Sequence, residues 1–133
     1  MDFSEVIGQK HLKSHLLKTI ENGRIPHSQL FIGKAGSGIL PVALSYAKEI
    51  LCHSFTKDSE GYLQCALKVA KLGHPDLHFV MPVNTNEKIK KNPVSSHFSS
   101  EWREFVLKNP YASLYDWYQF LGIENKQGNI SKH

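Results

Sequence analysis

One stretch constrains this chain more than any other. Gln29-Leu30-Phe31-Ile32 is a short, largely apolar run, and Gly33-Lys34-Ala35-Gly36-Ser37-Gly38 is the only glycine-rich segment. Pro41 follows at a place that suits the first turn of a helix. A strand bounded by glycines and followed by a helix is one step of an α/β fold, with the strand buried and parallel. A turn of this kind binds phosphate when three conditions are met. Glycines let backbone N–H groups face inward and cradle the oxygens. A lysine neutralises the β- and γ-phosphates, and a serine or threonine hydroxyl holds magnesium. The spacing is G-x-x-x-x-G-K-[ST].

Here the frame is present and the chemistry is not. Gly33 and Gly38 are correctly spaced, but the lysine position holds Ile39 and the hydroxyl position holds Leu40. Lys34 lies five positions early and cannot substitute without a different backbone path. A hydrogen bond to a charged group contributes about 1.5–3 kcal/mol. Losing it weakens binding about ten- to more than a hundredfold. The loop is therefore expected to hydrolyse nothing, to hold no magnesium and to need no cofactor. Read without its neighbours, it is also compatible with an ordinary glycine-rich turn.

The flanking chain supplies the rest of the order. Leu12, Leu16, Leu17 and Ile20 mark a helix that Gly23 stops. Val42, Ala43, Tyr46, Ala47 and Ile50 give the helix after the loop its apolar face, and Tyr62, Cys65, Ala66 and Val69 give the next one. Leu77-His78-Phe79-Val80-Met81 reads as a second strand. Residues 82–98 are irregular and polar, a surface excursion. Residues 99–122 carry two further helices: one capped by Ser99 or Ser100, with Trp102, Phe105 and Val106, and one starting at Asn109-Pro110. Leu114, Trp117, Tyr118 and Leu121 line the second, and Gly122 stops it. The polar tail from Glu124 to His133 is expected to fray. The expected fold is α/β: parallel strands with flanking helices, mostly helical. Two parallel strands make a poor sheet, so the order already suggests an incomplete module.

Composition bounds the classes. Of 133 residues, 41% are hydrophobic and 21% charged, which describes a globular chain. No apolar run reaches the length of a membrane span, and residues 1–10 do not resemble a secretory signal. Two cysteines do not make a disulfide framework, and a cytoplasmic protein fits best. The net charge of +4 is scattered, so it is weak support for nucleic-acid binding.

The residues now resemble a known family. Phe3-Ser4-Glu5-Val6-Ile7-Gly8-Gln9 is similar to the segment that leads into clamp-loader AAA+ modules. Arg24 and His27, with Leu30-Phe31, match the family's R-x-x-H-x-x-L-F lead into the first strand, and Gly33 to Gly38 match its loop. His74-Pro75-Asp76 before a strand is a further likeness. Together these cover the first 82 residues. Asp116-Trp117-Tyr118 and Ile123 to Gly128 resemble a delta-prime variant with an extended insertion.

The resemblance implies a truncated P-loop NTPase module spanning residues 1–133, with the lid and collar domains absent. It implies a non-catalytic subunit of bacterial DNA polymerase III that helps load the sliding clamp onto primed DNA, with other clamp-loader subunits as partners. Degenerate phosphate loops are usual in that type, so Ile39 and Leu40 favour it over the hydrolysing subunit. Its neighbour-activating arginine cannot be assigned to any residue here. Many relatives carry four zinc-binding cysteines between the loop helix and the second strand, whereas this chain has only Cys52 and Cys65.

Other chemistry is thin. Cys52 and Cys65, with His53 or His74, are weak candidates for a metal, because Cys65 lies on an apolar stripe where a free buried cysteine is ordinary. His11 and His15 have metal-capable spacing without a third ligand. Trp102, Trp117, Tyr111, Tyr115 and Tyr118 suit core packing better than a stacking platform for DNA. Two rival functions remain: a nucleotide hydrolase using Lys34, and a small metal- or DNA-binding module. The missing strands also predict self-association.

Overall fold

The computed structural model describes residues 2–123 and 125–131. The chain divides into two compact units, Met1–Leu77 and His78–His133. The first contains α1 (Lys10–Glu21), α2 (Ile39–Cys52) and α3 (Glu60–Ala70). The second contains α4 (Ser99–Lys108) and α5 (Leu114–Leu121).

In the first unit, a 3-10 turn at Phe3–Glu5 is held by a capping box on Asp2. The apolar spacing of α1 and α2 brings their stripes together. Phe3, Val6, Leu16, Ile20, Val42 and Tyr46 form the core, with Leu17, Phe31 and Ile50 against it. Full burial of an aliphatic or phenyl side chain contributes about 1.5–3 kcal/mol, so these few residues dominate the unit's stability. The hydroxyls of Thr19 and Tyr46 hydrogen-bond at 3.1 Å and add a directed link between α1 and α2. Ser59 caps α3 by accepting from the Tyr62 N–H. Cys52, Cys65 and Val69 make a separate cluster with Leu51, Tyr62 and Leu77.

The strands differ from expectation. Among the described residues there is no β-strand, only an isolated antiparallel bridge between Val83 and Asn129. Gln29–Ile32 was expected to be buried on both faces, yet Leu30 is 82% and Ile32 86% exposed. Phe31 alone turns inward, toward Tyr46. In Leu77–Met81, Met81 is buried while Val80 is exposed. The physical reason is the same in both places. A parallel strand is stable only between ladder partners and under covered faces, and the described residues supply neither.

The second unit corrects the expectation for residues 82–98. They are irregular, but not superficial: Val83, Val94 and Phe98 are buried, and the last of these closes a 3-10 turn at Ser95–Phe98. Phe98 joins Met81, Val83, Trp117, Leu121 and Ile123 in the core. Side chains replace the missing ladder. The Ser95 hydroxyl accepts from the Met81 N–H and donates to the Met81 carbonyl, each at 3.0 Å. Asn86 receives the N–H groups of Lys88 and Ile89 and donates to the Leu121 carbonyl. Ser113, not Asn109-Pro110, starts α5, through a reciprocal capping box with Asp116. Gly122 ends it in the left-handed region at φ 74°, as the pattern indicated. The tail was expected to fray, yet Asn129 exchanges two backbone hydrogen bonds with Val83, both 2.9 Å. Glu124, Lys132 and His133, part of that expectation, lie outside the described residues.

Candidate functional site

The glycine loop sits at the N-terminus of α2. Gly38 is the N-cap, with φ 94°, a conformation that side-chain-bearing residues rarely adopt. The loop turns on Lys34: its carbonyl accepts from the backbone N–H of Ser37 at 3.1 Å and from the Ser37 hydroxyl at 2.6 Å. The side chain of Ser37 is thus committed to closing the turn. Lys34, Ala35, Gly36 and Ser37 are all exposed.

The residue in the lysine position folds back over the start of the loop. A Cβ built at Gly33 would stand 3.0 Å from two side-chain carbons of Ile39 and 2.8 Å from Ser37 Oγ. The Ile39 side chain therefore lies alongside Gly33, which stays exposed. Leu40, in the hydroxyl position, is half-buried in the first turn of α2. Beside the loop lies a cavity of about 280 Å³ walled by Leu12, Leu30, Ile32, Ile39 and Val42, with Gln9 and Ser37 as polar edges. Gln9 adopts the left-handed region (φ 60°) before α1, and its amide is 3.5 Å from the Ser37 carbonyl. Gln9 closes the Phe3–Gln9 segment noted in the sequence, yet its link to the loop spans 28 positions and could not be read from local spacing. The arrangement offers an apolar pocket and backbone groups, and no lysine or arginine is among the described residues that line it.

The remaining sequence-expected residues are dispersed. Arg24 and His27 are exposed in the connector between α1 and the loop. His74 and Asp76 form a turn of their own. The Asp76 N–H donates to His74 Nδ1 at 3.1 Å, and the Leu77 N–H donates to the His74 carbonyl at 3.1 Å. That turn gives His74 a structural task. Cys52 and Cys65 are joined in a disulfide, which corrects both the expectation of free thiols and their weak candidacy as metal ligands. Two cysteines sharing a bond have no thiolate to offer a metal. Among the described residues, no group of three or more His, Cys, Asp or Glu could hold one. Trp102 and Trp117 meet edge to face at 5.0 Å within the second unit's core, which is the packing role expected of them.

Comparison with known proteins decides the family. The model of the family described as "DNA polymerase III, delta subunit" matches residues 8–114, more than half of the chain. The chain belongs to that family. A relative of the delta-prime type, DNA polymerase III subunit delta' of Bacillus subtilis (strain 168), is 36% identical over 75 residues. The match covers 56% of this chain and 22% of that protein, so the chain spans about a fifth of the curated relative's length. No solved structure matches significantly. This delta-family chain is mostly helical, and none of its described helices is long and apolar enough to cross a membrane.

Proposed function

We propose that this chain is a non-catalytic clamp-loader subunit of the bacterial DNA polymerase III holoenzyme, of delta-prime type. In this reading it neither binds ATP tightly nor hydrolyses it, and it helps place the sliding clamp on primed DNA through the assembled loader. The observation that carries the reading is an isoleucine side chain, Ile39, set beside Gly33 where a phosphate-binding lysine belongs. A phosphate group brought to this loop meets hydrocarbon and loses its water without gaining a counter-charge, which is unfavourable. The turn-closing bond of Ser37 and the caps at Gln9 and Gly38 keep the loop's shape all the same. They support a retained scaffold whose chemistry has been given up.

The proposal extends to the assembly. The chain acts as part of an AAA+ module in the cytoplasm, with other clamp-loader subunits as direct partners. Its extended segments at Gln29–Ile32 and Leu77–Met81 become parallel strands when neighbouring strands are supplied. Calorimetric titration with ATP and magnesium tests the central claim. Binding no tighter than roughly millimolar is expected. Micromolar, magnesium-dependent binding overturns it. The rival hydrolase reading requires phosphate release that Lys34→Ala abolishes.

A further inference from the structure

We propose that Cys52 and Cys65 are a reversible thiol–disulfide couple that staples α2 to α3 and exchanges with small-molecule disulfides of the glutathione class. The pair joins the last residue of α2 to the apolar face of α3, with Cα atoms 5.8 Å apart. That separation lies in the usual range for a bridge, so it can close without moving either helix.

The surroundings suit both redox states. Cys52 is 1% and Cys65 5% exposed, and they pack with Val69, Leu51, Tyr62 and Leu77 in a cluster separate from the Phe3 core. A reduced pair leaves two small, weakly polar thiols in that cluster, which behave as ordinary hydrophobic groups. Neither state strands a charge. No third ligand converts the pair into a metal site among the described residues. The route for a reagent is local. His53 to Asp58, directly after Cys52, are all exposed, and fraying of this helix end uncovers the sulfur without unfolding the core.

The chemistry balances. The thiolate of one cysteine attacks a sulfur of the small disulfide, forming a mixed disulfide and expelling one small thiolate, which takes up a proton. The second cysteine's thiolate attacks the protein-side sulfur of that mixed disulfide and expels the second small thiol. Two electrons pass from the protein to the reagent.

The test equilibrates the chain in mixtures of reduced and oxidised glutathione, then alkylates it in denaturant and counts the labels by mass. The expected result is a single transition from two labels to none within one monomer. Closing the pair is expected to raise the melting midpoint of the first unit by about 10 °C. A Cys52→Ala/Cys65→Ala variant is expected to ignore the mixture, with the same melting midpoint in reduced and in oxidised glutathione. If that variant fails to fold, the labelling of the unmodified chain decides alone. Three results overturn the proposal: two labels at every ratio, no labels even in a large excess of reduced glutathione, or a bond between two chains.

Discussion

The ammonium of Lys48 stands 3.2 Å from the carboxylate of Asp2, forty-six residues away in sequence, and lies 5.8 Å from the centre of the Tyr62 ring. This joins the start of the chain to the middle of α2. Burial opposes the charge on both partners. For Asp2, the hydrogen bond and attraction of Lys48, with the N–H groups of Ser4 and Phe3, more than offset it, and the carboxyl titrates below its ordinary value. For Lys48, burial is likewise outweighed by Asp2, and the amine titrates above its ordinary value.

The signs set the pH dependence. A lowered carboxyl pKa stabilises the fold above the ordinary carboxylate range, and that stability is lost as pH falls through the folded value. A raised amine pKa stabilises below the ordinary lysine value of 10.5 and is lost as pH rises through the folded one. Asp2→Asn is therefore expected to destabilise the first unit at neutral pH, with the difference from wild type shrinking as pH falls below the ordinary carboxylate value of 3.8 and through the lowered folded one. Asp2 is half exposed, so the pair itself contributes no more than about 1 kcal/mol. Lys48→Met is expected to be tolerated better than Asp2→Asn, because it leaves no buried charge unpaired. Denaturant melts at several pH values check both.

Restoring the missing chemistry tests the loop. Ile39→Lys with Leu40→Thr supplies the phosphate and magnesium groups on a frame that is already turned. Nucleotide affinity is expected to rise by about one to two orders of magnitude over the wild type. Gly33→Ala in the same background is expected to cancel the gain, since its Cβ meets Ser37 Oγ at 2.8 Å. Calorimetry with and without magnesium reads both effects.

Two tryptophans in one cluster are expected to respond differently. The Trp117 indole donates to the Pro82 carbonyl at 2.9 Å, whereas Trp102 Nε1 is buried with no hydrogen-bond partner. Trp117→Phe removes volume and orphans a carbonyl, for a loss of about 2–4 kcal/mol. Trp102→Phe removes volume but also relieves a buried N–H, so its loss is expected to be smaller by about 1–3 kcal/mol. Chemical denaturation of both variants gives the comparison. Equal losses count against this account.

The exposure of Leu30 and Ile32 predicts association. Bare, apolar extended segments recruit further chains, and both residues are more than four-fifths exposed. Light scattering is expected to show a mass that rises with concentration. Leu30→Lys with Ile32→Lys is expected to restore a monomer with less binding of apolar dye. A concentration-independent monomer in the unmodified chain counts against it.

The helices were legible in the sequence because their signals are local. The i, i+3, i+4 stripes located α1, α2, α3 and α5, and Gly122 marked the end of α5. The turn before α2 was legible for the same reason, since glycines at Gly33, Gly36 and Gly38 mark it. What escaped was non-local. Residues 83–98 carry few apolar side chains, yet bonds spanning 14 positions to Ser95 and 35 to Asn86 and Trp117 fold them into a core. The apolar run at Gln29–Ile32 indicated a buried strand, but burial depends on neighbours that a local pattern does not contain. The disulfide was equally hidden, because two cysteines show their pairing only when two helices meet. Cys65 on the inward stripe of α3, with Cys52 at the end of α2, was the available signal.

Ser95 has one more consequence. By occupying both backbone groups of Met81, its hydroxyl does for one residue what a neighbouring strand would do for a row. A backbone satisfied by a side chain has nothing left to offer an incoming edge. Sheet growth is thereby blocked at Met81 and left open at Leu30 and Ile32. Ser95→Ala should do more than loosen the core: it should give this segment back its appetite for a partner.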